Sequence, residues 1–263
     1  MVTAENFSNG LTSPLLAYGI SCLGAFLGLV CVERARAYQS AARAGWLAVA
    51  AISIGATGIW AMHFVAMLGF AIPGQTITFN VPVTIGSMLL AILVVGVGLF
   101  IVGYGQTGWP RILAGGLIIG LGVSGMHYMG MDGMVMSYSV SYNIPLVIVS
   151  ILIAIVAGTA GLWAGVHVRG IADTFKAALL MAVAVWGMHY TGMAAMHIKA
   201  ATAMTESGAS AFSFIVPVIV GVAILTFGIA MAVWMARSAE EIAEDAAIQR
   251  RFEEIEARHQ PMA

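Results

Sequence analysis

Seven apolar runs, each about 20 residues long and so able to cross a hydrocarbon core, leave this chain few folds to choose from. They fall near Thr12 to Val32, Trp46 to Phe70, Val81 to Tyr104, Ile112 to Met131, Ile144 to Gly165, Phe175 to Ile198 and Phe212 to Ala236. Only 9% of the 263 residues are charged and 60% are hydrophobic, whereas soluble domains carry about 25% charged residues. The expected fold is an all-α integral membrane protein with seven transmembrane helices, arranged as three repeated helix pairs plus a seventh helix.

The loops carry a one-sided charge. Arg34, Arg36, Arg43, Arg111, Arg169, Lys176, Arg237, Arg250, Arg251 and Arg258 fall on one side of the seven runs, and Lys199 falls on the other. Cytoplasmic loops are enriched in Lys and Arg, so the N-terminus is expected outside and the C-terminus in the cytoplasm. No basic stripe suits phosphates of nucleic acid, which excludes that class of partner. Cys22 and Cys31 stand too far apart on one helix to bridge. No basic residue precedes the first run, which is therefore read as a retained membrane helix rather than a secretory leader.

A six-residue phrase recurs three times: Met62-His63-Phe64-Val65-Ala66-Met67, Met126-His127-Tyr128-Met129-Gly130-Met131 and Met188-His189-Tyr190-Thr191-Gly192-Met193. Half of the six histidines lie in it, at intervals of 64 and 62 residues. On a helix each histidine shares a face with the methionine four residues on. Each phrase ends an inside-to-outside run, which places the three at one depth, about 25 Å from the basic end at 1.5 Å per residue. Repeats about an axis along the membrane normal would bring equivalent positions together. Pro14, Pro82, Pro145 and Pro217 open the opposite runs, where a missing N–H is tolerated. Asn80 and Asn143 precede two of them as candidate caps. Gly24 and Gly28, Gly116 and Gly120, and Gly161 and Gly165, four apart, would let helices approach closely.

Imidazole and thioether form a soft ligand set that suits copper, above all Cu(I), better than magnesium, calcium or manganese. Zinc accepts histidine but rarely methionine. The candidate ligands are His63, Met67, His127, Met131, His189 and Met193, serving one shared site or two adjacent ones. Met62, Met126 and Met188 face elsewhere on their helices and read as packing. Met129, Asp132 and His197 are candidates for guiding a cation inward, and Trp60 and Trp186, three residues before their histidines, for shielding it from water. His167 and His259 read as solvated.

The three phrases resemble the signature of the MHYT family of bacterial integral membrane sensor domains. The second and third copies carry Met-His-Tyr, the third adds Thr191, and the first has Phe64 in place of tyrosine. The resemblance implies a bacterial inner-membrane domain that binds copper through these side chains and senses a diatomic gas such as oxygen, carbon monoxide or nitric oxide. It also implies fusion, in many relatives, to domains that make or break cyclic dinucleotides. A copper transporter or channel and a haem protein using a histidine pair are the competing readings. No catalytic constellation points to an enzyme.

The expected division is a membrane domain over residues 1–236 and a charged cytoplasmic helical tail over 237–263, with Ile242, Ile248, Phe252 and Ile255 as a thin apolar stripe. A solvated extension of the last helix is favoured over a dimerising or partner-binding coiled coil, and no output domain is read after it. Reporter fusions should place Ser8 outside and Glu240 inside. Both ends on one side would remove the seven-span arrangement and the shared depth of the three phrases.

Overall fold

Hydrocarbon offers backbone N–H and C=O groups no water to bond, so apolar runs close their hydrogen bonds internally as helices. In a computed structural model, which describes residues 5, 7–104, 108–200, 208–236, 241, 244–245 and 247–253, seven helices are long and apolar enough to span. These are α1 (Thr12–Ala37), α2 (Ser40–Met67), α3 (Val81–Gly103), α4 (Trp109–Asp132), α5 (Ile144–His167), α6 (Ile171–Ala194) and α7 (Ala211–Met235). Helices α1 to α6 pack each against the next, and α6 returns to α1, so the six close a ring; α7 lies outside it against α1 and α2. The second span is the most buried of the seven because α7 covers its outer face.

Local chemistry sets several helix starts. The side chains of Asn80 and Asn143 accept from the backbone N–H of Val83 and Leu146 at 3.1 and 3.2 Å, and Pro82 and Pro145 follow in the first turn. Pro217 stands in the first turn of the α-helical part of its span, Val216–Met235, but not at the start of the span itself. The last span begins at Ala211, where the Ser210 hydroxyl accepts from the Ser213 N–H at 3.0 Å, and one π-type turn precedes the proline.

Small residues set helix spacing. A side chain at Gly24 would meet the backbone of Gly58, and the Ser53 hydroxyl donates to the Gly24 carbonyl at 3.0 Å. Gly28 lies against Ile54, Gly116 against Thr159 and Gly120 against Ile155, so two of the three expected glycine pairs are close-packing positions. In the third pair, Gly161 faces the tip of Met181, while Gly165 has only loose neighbours.

Three features depart from the sequence reading. Nine residues of α2, Ser53–Ala61, adopt π-helical hydrogen bonding and end just before the first phrase. The sixth span stops at Ala194 rather than Ile198, because Met196–Ala200 leaves the helix as an extended strand whose residues from Met196 to Lys199 alternate in exposure. The turns that follow α2, α4 and α6 also pair with one another. Strands β1 (Thr78–Phe79), β2 (Met134–Val135) and β5 (Ala209–Ser210) form one antiparallel sheet in the order β2-β1-β5, and β3 (Tyr138–Tyr142) pairs with β4 (Met196–Ala200). The N-terminal segment joins this cap through backbone bonds between Glu5 and Ala71. All of these lie at the end of the ring that carries the three histidines.

At the opposite end, Arg34 is buried rather than free in a loop. Its guanidinium donates to the Ala236 carbonyl at 2.6 Å and to that of Val233, and lies 5.4 Å from the Trp46 ring centre. It thus caps the last carbonyls of α7, where a cation is favoured by the helix dipole. Of the tail, the described residues 241, 244–245 and 247–253 are helical, with Ile248 and Phe252 exposed; Ile242 and Ile255 lie outside the described residues.

Candidate metal centre

The alternate helices α2, α4 and α6 each bring one phrase to the ring interior. His63, His127 and His189 are all fully buried there. The Nδ1 atom of His63 lies 3.0 Å from Nδ1 of His189 and 3.1 Å from Nδ1 of His127. The three rings stand 84 to 87° to one another, with centroids 4.9 to 5.1 Å apart, so they form a propeller that brings one nitrogen of each ring within 4.8 Å of those of the other two. Among the described residues this is the one cluster of His, Cys, Asp or Glu with metal-ligand spacing.

Two of the three imidazoles seat on the small residue of another phrase. A Cβ on Gly130 would lie 2.7 Å from Nε2 of His63 and 3.4 Å from Phe64, and one on Gly192 would run into the His127 ring. The recurrent small position therefore clears room for a histidine from the preceding copy. The first copy carries Ala66 there, also buried.

Hydrogen bonding within the protein does not satisfy this cluster. A neutral imidazole has one N–H and one lone pair, so His63 Nδ1 has a single proton or a single lone pair with which to serve two neighbours. The Nε2 atoms of His63 and His127 are buried without a partner. An unpaired buried polar atom costs about 1–3 kcal/mol. One cation taking all three Nδ1 lone pairs relieves the crowding at the shared point. Three nitrogens at about 2.0 Å from a common ion are about 3.3 Å apart, so the observed separations need open only a few tenths of an ångström. The donor set fits a metal ion.

The other predicted residues divide by burial. Met62, Met67, Met126, Met131, Met188 and Met193 are all buried; five of them join the main core cluster, and Met62 packs instead with Ala17, Val65 and Ala66. Met129 is half-buried and faces Gly86. Asp132 and His197 are exposed, at the end of α4 and in β4, outside the buried cluster. Trp60 is fully buried against Phe64 and donates to the Ser87 hydroxyl at 3.1 Å, whereas Trp186 is half-buried and donates to the Pro14 carbonyl at 3.2 Å. The two tryptophans thus tie α2 to α3 and α6 to α1. His167 is exposed and lies 2.9 Å from its own helix's Trp163 carbonyl; His259 lies outside the described residues.

Sequence reasoning missed the hydroxyls that hold the phrase. Ser87 and Ser150, both fully buried, occupy the same position in successive repeats. Ser87 takes the Trp60 N–H, and Ser150 bonds the Tyr128 hydroxyl at 2.7 Å. Their spacing of 63 residues was a visible signal.

A ring of membrane helices around a buried trihistidine cluster defines a class of membrane protein with an interior polar centre. The chain belongs to the MHYT family: its repeat, described as a bacterial signalling protein N-terminal repeat, matches residues 57–115, 120–178 and 183–243. Each matched repeat begins just before a phrase and runs through the following span, so the family's unit is offset from the helix pairs expected above. The chain is 34% identical over 181 residues to the bifunctional diguanylate cyclase/cyclic di-GMP phosphodiesterase MucR of Pseudomonas aeruginosa, covering 67% of this chain and 26% of that protein. It is 35% identical over 187 residues to the cyclic di-GMP phosphodiesterase NbdA of the same organism, covering 69% and 24%. An uncharacterised signalling protein of Caulobacter vibrioides is 29% identical over 205 residues, covering 78% and 25%. The chain spans about a quarter of the length of the curated relatives it matches. No solved structure matches it.

The seating of the histidines gives a test. Gly130→Ala and Gly192→Ala should each destabilise the protein by about 1–3 kcal/mol, the usual cost of overpacking. Gly187→Ala, in the same helix as Gly192 and with open space around it, should not destabilise it, since Ala favours a helix over Gly. Denaturation of the detergent-solubilised variants checks the ranking, and equal stability of all three would remove the packing explanation of the small position.

Proposed function

We propose that this MHYT sensor domain holds a single Cu(I) ion through Nδ1 of His63, His127 and His189 and uses it to detect a diatomic gas. The observation that carries this reading is the approach of three buried Nδ1 atoms to one point, at 3.0 and 3.1 Å. Three neutral imidazoles with no carboxylate in the cluster favour a monovalent over a divalent ion, since uncompensated charge is costly in a low-dielectric interior. The buried thioethers of Met67, Met131 and Met193 add softness of the kind Cu(I) prefers. The bound ion would supply an open coordination position for a small ligand.

The surroundings suit an apolar gas. An apolar cavity of about 50 Å³ is lined by Ile59, Val123 and Val185, each four residues before its histidine and so one turn further from the strand cap. Met188 borders it too. Apolar cavities of this kind stay dry and accept small apolar guests. A haem has no room between rings whose centroids are about 5 Å apart. For a transport pathway, the lining of the cavity beneath the histidines offers a cation the thioethers of Met181 and Met188 and no histidine or carboxylate.

Signal relay follows from the ring. Coordination that fixes the spacing of α2, α4 and α6 at one end favours one arrangement of the bundle, and a ligand shifts a conformational equilibrium only by its differential affinity for the two arrangements. The π-helical stretch Ser53–Ala61 lies directly before His63, and such stretches allow backbone hydrogen bonds to be redistributed. By analogy with the cyclic di-GMP enzymes it resembles, the basic end would face the cytoplasm and address a cyclic-dinucleotide enzyme, either directly or through the tail over residues 237–263 and its self-association.

Copper titration of solubilised variants tests the reading. His63→Ala, His127→Ala and His189→Ala should each weaken Cu(I) binding by more than about 100-fold, since even outer contacts to a metal ligand are worth 10–100-fold. Met67→Leu, Met131→Leu and Met193→Leu should cost less, and His167→Ala nothing. Equal copper content in the wild type and the triple histidine variant would overturn it.

A further inference from the structure

The end of the ring opposite the histidines contains a polar cavity of about 240 Å³ between α1, α2, α3 and α5. Its walls are Leu47, Leu99 and Leu162, among others, and its polar groups include three arginines, Arg36, Arg43 and Arg169, with no acidic residue. We propose that this cavity is a binding site for a phosphate-class anion, either the headgroup of an anionic phospholipid or free phosphate.

Three observations carry the assignment. Nη1 of Arg36 is fully buried and has no hydrogen-bond partner. A guanidinium placed only to meet headgroups at the bilayer surface would turn its nitrogens outward, as long basic side chains do; this one keeps a nitrogen inside. Second, the other two arginines are held in place by backbone carbonyls rather than neutralised. Arg43 Nε donates to Ala35 at 3.2 Å with its guanidinium 5.9 Å from the Tyr104 ring centre, and Arg169 Nη1 donates to Val166 and Val168 at 2.7 and 2.9 Å. Third, nearby carboxylates are committed elsewhere: Glu33 accepts from the Gly170 N–H at 3.2 Å, and Asp173 pairs with Lys176 at 2.8 Å.

Three like charges around one space repel, and an oxyanion between them removes the repulsion while giving the buried Arg36 nitrogen an acceptor. Guanidinium groups match phosphate oxygens in pairs of parallel bonds. At about 240 Å³ the cavity is smaller than the pockets of about 300–1,000 Å³ that take drug-sized ligands, which suits a smaller group. The cavity holds a phosphate group and the start of its substituent, not a dinucleotide. Arg36 lies two residues from Arg34, which caps α7. Occupancy of the cavity therefore touches the same end of α1 that grips the last turn of the final span.

Binding of inorganic phosphate to the full chain in detergent, and retention of phosphatidylglycerol over phosphatidylcholine in native mass spectrometry, distinguish the two sources. R36Q should lower phosphate affinity, or lipid retention, by at least about tenfold, the usual loss for a hydrogen bond to a charged group. R36K, which keeps charge without the planar fork, should fall between, and K199Q at the other end should match the wild type. The double variant R43Q/R169Q carries the same expectation and serves where R36Q fails to fold. Loss in the phosphate arm assigns a free ion, and loss in the lipid arm assigns a headgroup. Absence of both bindings in the wild type, or binding unchanged in R36Q and in R43Q/R169Q, overturns the proposal.

Discussion

Three imidazoles meeting inside a membrane protein set the terms for everything around them. Ionisable side chains are expensive within a bilayer, and here each sits at zero to one per cent exposure. The Nδ1 atom of His63 has to serve two neighbours at once, and the Nε2 atoms of His63 and His127 are buried without a partner, so hydrogen bonds within the protein do not satisfy the set. Either the cluster stores that cost or an ion removes it. The convergence of the lone-pair edges on one point is the geometry the second alternative requires.

That convergence depends on packing one layer out. His63 and His127 approach because Gly130 and Gly192 carry no side chain that would block their rings. The aromatic residue of the second phrase is fixed by Ser150, and the tryptophan before the first phrase by Ser87. Close helix contacts at Gly24, Gly116 and Gly120 bring α1 onto α2 and α4 onto α5. Helix α7 stays outside the ring and braces α1 and α2, with a buried hydroxyl pair, Thr57 and Thr226, 2.6 Å apart. The strand cap links the ends of the three histidine-bearing helices by backbone pairing, with Phe79 packed on Phe64 and Tyr142 on Tyr128, and coordination at the centre would act on that same end.

Much of this is legible in the sequence alone. The spans, the shared depth of the phrases and four of the six singled-out glycines are local patterns of hydropathy and spacing, and each survives in the structure. What was not legible is non-local or leaves no compositional mark. Strand β1 is two residues long and makes sense only beside β2 and β5, which come from other repeats. A π-helical turn differs from an α-helical one in which carbonyl receives a proton, not in residue type, so Ser53–Ala61 reads as ordinary helix. Arg34 counted as one more basic loop residue until its partners, Val233 and Ala236, some 200 positions later, were seen to be the end of α7. The alternation over Met196 to Lys199 was present in the sequence but was masked by the apolar run it continues.

The central claim is that the three histidines share one ion, and copper-edge X-ray absorption on protein loaded with one equivalent of Cu(I) tests it most directly. The account predicts three nitrogen neighbours at about 2.0 Å, the range of metal–imidazole bonds, together with the outer-shell scattering of imidazole rings. A coordination shell of sulfur alone, or one with no imidazole signature, would contradict it.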